Sequence, residues 1–171
     1  MTAGAVDQAA EFWPLMDSAR LEAGGNLARQ TELLERQLAE LSPAQIEAFQ
    51  HLLDVEMDKA NTWEVWAAAY IINGGASDDG FDYFRGWLVM QGEEVFNAVL
   101  ANIESLATYE GARFEEAEWE DVLYLPARVF EQKTGRHLGI SQLSSETRGD
   151  AWDEDELAEK YPRLWAAHES A

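Results

Sequence analysis

The chain has no cysteine. It can form no disulfide and no thiolate metal site, and it carries no thiol nucleophile. Basic residues are scarce. Twelve Lys and Arg stand against 33 Asp and Glu in 171 residues, a formal net charge of −21. A field of that sign disfavours phosphate backbones, which need Lys and Arg to replace counterions, and anionic membrane surfaces for the same reason. Long apolar runs are missing too: no segment approaches the roughly 18 apolar residues of a membrane helix. The N-terminal MTAGAVDQAAEFW has neither the basic nor the apolar region of a secretory signal. Neither a nucleic-acid nor a membrane partner is expected, and the expected location is cytoplasmic. Gly-x-Ser-x-Gly, a phosphate-cradling glycine loop and His-Glu-x-x-His are all absent, so no familiar nucleophile or zinc motif presents itself. There is no strand pattern, internal repeat or low-complexity linker.

What the chain does have is 47% hydrophobic residues and seven tryptophans, enough to offset its ordering entropy with a real core. Helical periodicity runs almost throughout. Phe12, Leu15, Met16, Ala19 and Ala23 form one stripe, with Pro14 in the first turn and Gly24-Gly25 as its stop. Asn26 caps a second helix with Leu27, Thr31, Leu34, Leu38 and Leu41 on one face. Ser42-Pro43 with Gln45 starts a third, striped by Ile46, Phe49, Leu53, Met57 and Ala60. Asn61-Thr62 breaks it, and WEVWAAAYIIN resumes helix as far as Gly74-Gly75. Further helices follow over about Asp79–Gln91, after Gly92, and up to Gly135, where Pro126 should kink the helix or mark its true start. Residues 136–150, with Ser141, Ser144 and Ser145, read as loop. A short acidic helix and a final turn end the chain. The expectation is an all-α single domain over residues 1–171, a bundle of seven to eight helices with short connections. Residues 136–171 form a tail on its surface, anchored by Trp152 and Trp165.

One stretch concentrates possible chemistry: NGGASDDGFDYFRGW, residues 73–87. On an ideal helix with Asp78 at 0°, Asp82 falls near roughly 40°, Asp79 near 100° and Arg85 near −20°. Tyr83 and Trp87 fall at roughly 140–180°. The charged residues therefore share one polar face. Asp78 and Asp79 at the positive end, and an Asp82–Arg85 pair three residues apart, suit an ordinary helix start. The same face tilted into a cleft could hold a ligand: paired carboxylates for acid–base work, Arg85 for an anionic group. Asn73 opens the stretch, and Trp63, Trp66 and Tyr70 just upstream could wall a pocket or simply pack in the core. Glu47, His51, Asp54 and Asp58 share a second face, but it points away from the apolar stripe and lacks a matching Glu-x-x-His helix. No metal site and no cofactor is expected. His137 and His168 stand in or near loop and tail.

FWPLMDSAR…GG, LSPAQIEAF, WEVWAAAYIINGGASDDGFDYFRGWLVMQGEEVF and the tail WDEDELAEKYPRLW together resemble a bacterial family known as domain of unknown function 4240. The resemblance spans nearly the whole chain and is most specific over residues 63–96. It implies a small, soluble, stand-alone protein, and it transfers no catalytic residues. Ala76 stands where members often carry cysteine, so it implies no thiol role there. The leading expectation is a non-catalytic module that binds a basic protein or a small ligand. The alternative is a hydrolase-like or lyase-like enzyme, with or without a divalent metal, using Asp78, Asp79, Asp82 and Arg85. An acidic immunity- or antitoxin-like protein that masks a basic partner is a third class.

Overall fold

The computed structural model describes residues 12–112, 117–139 and 146–169, and the fold they build is all-α. Seven helices carry the body: α1 (Phe12–Ala23), α2 (Leu27–Ala39), α3 (Pro43–Lys59), α4 (Trp63–Asn73), α5 (Asp78–Met90), α6 (Glu93–Ala101) and α7 (Asp121–Thr134). Two short ones, α8 (Leu157–Lys160) and α9 (Pro162–Glu169), end the described chain, so the expected final turn is a helix. Three 3-10 segments, Ile103–Thr108, Glu110–Ala112 and Glu154–Glu156, lie between. The expected loop is described at residues 136–139 and 146–150. Ser141, Ser144 and Ser145 lie outside the described residues.

Local signals set the helix ends. Asn26 accepts a hydrogen bond from the Arg29 N–H at 2.8 Å. Ser42 and Gln45 exchange two bonds as a complete capping box, and Ser77 and Thr62 cap α5 and α4. Each such cap is worth about 1 kcal/mol. Helix α7 starts five residues before Pro126 and runs through it. Pro126 is buried there and has no N–H to give the Val122 carbonyl.

Apolar stripes bring the helices together. Ile46, Phe49, Leu53, Met57 and Ala60 on α3 are all buried, as are Phe81, Phe84, Trp87, Leu88, Val89 and Met90 on α5. Helices α1 and α2 form a hairpin, and α7 lies across α2 and α3. Helix α5 touches α3, α4, α6 and α7, which places it at the centre. Helix α9 returns to α4 and the Ile103–Thr108 turn.

The segment from Glu146 to Trp152 straps the α3–α4 joint. Arg148 exchanges two backbone bonds with it: Trp63 N–H to the Arg148 carbonyl at 2.9 Å, and Arg148 N–H to the Asn61 carbonyl at 3.1 Å. The Arg148 guanidinium meets Asp58 Oδ2 at 3.3 Å and donates to the main-chain carbonyls of Asp58 and Lys59. Trp152 gives its indole N–H to the Trp63 carbonyl at 2.6 Å. The last carbonyls of α3 have no intrahelical donor, so the strap supplies one and adds positive charge at the negative end of the helix. Arg148→Ala should cost about 1.5–3 kcal/mol, the range for hydrogen bonds from a charged donor. Limited proteolysis should then cut first between residues 135 and 150; an unchanged pattern would mean that Arg148 holds nothing.

Candidate functional site

Residues 73–87 form the corner between α4 and α5, and their side chains brace it. Asn73 clamps residue 117 from both sides: Oδ1 accepts from the Ala117 N–H at 2.8 Å, and Nδ2 donates to the Ala117 carbonyl at 3.2 Å. Gly74 (φ 69°) and Gly75 (φ 132°) take left-handed backbone that side-chain-bearing residues avoid. Trp66 closes the turn by donating its indole N–H to the Ala76 carbonyl at 3.0 Å. Asp78 and Asp79 are exposed at the start of α5.

Asp82 and Arg85 do form an ion pair, but Arg85 leaves the polar face where the helical wheel puts it. Its side chain is 4% exposed, while that of Asp82 is 45% exposed. The guanidinium turns inward because it has a task there: Nη1 donates to the Met57 carbonyl at 2.9 Å, another unfilled acceptor at the end of α3. Two arginines, one from α5 and one from the strap, thus cap the same helix. Burial pushes the Arg85 pKa down, and Asp82 opposes that shift. Arg85 also lies 4.7 Å from the Phe81 ring centroid. It ends a column of stacked rings in which Phe81 lies on Trp66 at 4.8 Å and Trp66 on Trp63 at 5.1 Å, both within 10° of parallel. Trp152 meets Trp63 and Tyr70 edge-on, and Tyr70 is hydrogen-bonded to Glu154. That bond, first among the causes, raises the Tyr70 pKa.

Trp63, Trp66 and Arg85 are therefore united in one column, and Asp82 sits at its edge. Asp78 and Asp79 do not converge on it. On the second acidic face, Glu47 and His51 are exposed, Asp54 accepts from Gln50 at 2.8 Å, and Asp58 engages Arg148. His137 is exposed beside Glu131. Among the described residues, no group of three or more His, Asp or Glu could hold a metal ion.

Among the described residues, a cleft lies on the other flank of α5. It has a volume of about 780 Å³ and opens between the α1–α2 turn, the end of α5 and residues 109–111. Trp87, Tyr109 and Trp119 supply its aromatic walls, Gln30 and Gln91 its polar floor, and Arg20 and Glu110 its charged rim. A shallower cleft of about 660 Å³ adjoins it and shares Leu27 and Trp119. Its other lining residues are Tyr83, Tyr124, Glu118, Glu120 and Asp121. The walls are held by hydrogen bonds. Trp119 donates to Thr31 Oγ1 at 2.9 Å, and Thr31 to the Leu27 carbonyl at 2.9 Å. Tyr109 donates to Gln91 Oε1 at 2.7 Å, and Gln91 to the Trp87 carbonyl at 2.9 Å. Gln30 donates to the Met90 carbonyl at 2.8 Å.

Burial raises the pKa of the Tyr109 phenol and Arg20 works against it. The Tyr83 pKa is raised by burial, then by the Glu120 and Asp79 charges. Both phenols are therefore neutral at neutral pH. Sequence reasoning did not find this pair of clefts, whose lining comes from separated parts of the chain. The available signal was the Tyr83/Trp87 side of α5, opposite the charged face.

A family model described as "Protein of unknown function (DUF4240)" matches residues 8–132. No curated protein and no solved structure matches the chain.

Proposed function

We infer, for a chain that belongs to the DUF4240 family of proteins of unknown function, that it is a non-catalytic binding module for a basic segment of a partner protein. The observation that carries this reading is that two adjoining clefts share Leu27 and Trp119 in their lining. Among the described residues, their linings combine aromatic residues with four carboxylates, Glu110, Glu118, Glu120 and Asp121, against the one guanidinium of Arg20. Ring faces attract cations by their quadrupole, by roughly 0.5–2 kcal/mol each according to desolvation. The field of a −21 chain steers a cationic segment toward any such cleft. Rings already held by hydrogen bonds lose little freedom on binding, so less of the contact energy goes into ordering.

Tryptophan fluorescence titration with a Lys/Arg-rich peptide and with its Glu-substituted counterpart tests this. The basic peptide should bind. Its affinity should fall roughly tenfold as added salt shortens the screening length from about 30 Å to about 10 Å. Tyr124 is 55% exposed and Glu120 is exposed, so Tyr124→Ala and Glu120→Gln should weaken binding several-fold without moving the melting temperature. Equal binding of the acidic peptide, or indifference to both substitutions, would sink the reading.

A further inference from the structure

Resting on the basic-partner reading, we propose that the shallower cleft is the subsite for a lysine side chain of that partner, and that it holds the ammonium against aromatic rings rather than through its N–H donors. The two clefts differ in charge. Among the described residues no Lys, Arg or His lines the shallower one, whereas Arg20 lines the deeper one. Glu118, Glu120 and Asp121 give the shallower cleft three carboxylates. The guanidinium beside Asp121, that of Arg128, is shared between two carboxylates: Nη1 meets Asp121 at 3.1 Å and Nε meets Glu35 at 3.7 Å. Burial, then the Glu120 and Asp79 charges, raise the Tyr83 pKa, and no cation opposes them.

The rings differ as well. Elsewhere in the body rings pair: Trp63 with Trp66, Trp66 with Phe81, Phe84 with Trp87, and Trp87 with Tyr109 in the deeper cleft. Tyr83, Trp119 and Tyr124 line the shallower cleft. Among the described residues none of these three meets another ring or a guanidinium. Trp119 is tied on both sides: its backbone N–H donates to the Tyr83 carbonyl at 2.8 Å and its indole N–H to Thr31 Oγ1 at 2.9 Å. Tyr124, in the first turn of α7, is 55% exposed.

Rings without ring partners, set among carboxylates, suit a compact cation. Lysine carries one on a flexible four-carbon stem, and Leu27 gives that stem an apolar wall. Attraction to a ring depends on the charge of the ligand. A hydrogen-bonded ion pair with Glu120 would depend on its N–H donors as well. Trimethylation keeps the lysine charge and removes the donors, and acetylation removes the charge. The two modifications therefore tell ring recognition from an ordinary ion pair.

Three short peptides with blocked ends decide the matter. They are identical and uncharged except at one central position, which holds lysine, Nζ-trimethyl-lysine or Nζ-acetyl-lysine. Each is titrated into the whole protein and followed by NMR of the Tyr83, Trp119 and Tyr124 ring signals. The lysine and trimethyl-lysine peptides should both shift these signals, and the trimethyl form should bind at least as tightly. The acetyl-lysine peptide should bind at least about tenfold more weakly. Tyr124→Phe should keep the binding, whereas Tyr124→Leu should weaken both charged peptides about fivefold with an unchanged melting temperature. Loss of binding on trimethylation would give the ammonium to Glu120 and overturn the ring subsite. So would acetyl-lysine binding as tightly as lysine, equal effects of the two Tyr124 substitutions, or shifts confined to Trp87 and Tyr109. If the Lys/Arg-rich peptide binds with salt dependence but no single-lysine peptide does, the subsite falls and the broader reading stands. If no peptide binds, both fall.

Discussion

Arg85→Ala is expected to lower the unfolding free energy by about 3–4 kcal/mol, through loss of a buried hydrogen bond to a helix end and creation of a void. The ion pair with Asp82 is the smaller part of that loss. Asp82 is 45% exposed, so its carboxylate regains water when the partner goes. The Met57 carbonyl, taken by Arg85 at 2.9 Å, regains nothing, and the Phe81 ring loses the guanidinium packed on it. Arg85→Met separates the two contributions. Methionine refills much of the volume and removes the Arg85 Nε, which is buried without a partner, but it leaves the Met57 carbonyl unfilled. It should cost about half as much as alanine, consistent with the tolerance of such positions for apolar replacements. Urea denaturation of both variants measures this. If methionine is as damaging as alanine, the hydrogen bond dominates; if it is harmless, packing does.

Gly86→Ala is the second large effect, and its sign opposes propensity. In an exposed helix the change would stabilise by about 1 kcal/mol. Here a Cβ on Gly86 falls inside contact distance of the Trp119 carbonyl oxygen and 3.3 Å from Val122 Cγ1. The Trp119 backbone cannot simply move away, because its N–H is bonded to the Tyr83 carbonyl at 2.8 Å. Overpacking against backbone costs about 3 kcal/mol, which outweighs the propensity gain. A net loss near 2 kcal/mol should lower the melting temperature by roughly 4–8 °C in a chain of this size. Because residue 119 also forms the wall common to both clefts, the variant should bind the basic peptide less well even where it is fully folded. A variant with unchanged melting temperature would mean that residues 117–119 do not rest on α5.

The sequence made the helices legible because their signals are local. Asn26, Ser42 with Gln45, and Gly24 act within one turn of where they sit, and stripes such as Ile46 to Ala60 state which face is buried. The destination of Arg85 was not legible. A helical wheel sets it beside Asp82, but the carbonyl it fills belongs to Met57 on another helix, and capping by a different element leaves no mark in local spacing. The same holds for Arg148, whose acceptors lie about ninety residues earlier. The clefts were half legible: the wheel turns Tyr83 and Trp87 away from the charged face, but not toward anything in particular. Gln30 and Thr31 look like ordinary members of a helix, and only Met90 and Trp119, from distant segments, make them a floor and a hinge.

The double arginine cap of α3 also has a clock in it. A nascent chain emerges N-terminus first, at roughly 5–20 residues per second. The Arg148 guanidinium follows the carbonyls it must fill by 90 residues in the case of Asp58, a delay of roughly 5–20 s. Until then the Asp58 carbonyl has only the Asn61 N–H and the Met57 carbonyl only Arg85, and Trp63 has no Trp152 against it. The α3–α4 joint therefore closes only after all seven helices of the body have been made, and α9 returns to α4 later still. A chain cut or stalled short of residue 148 would keep that joint open, with its tryptophans within reach of chaperones and proteases.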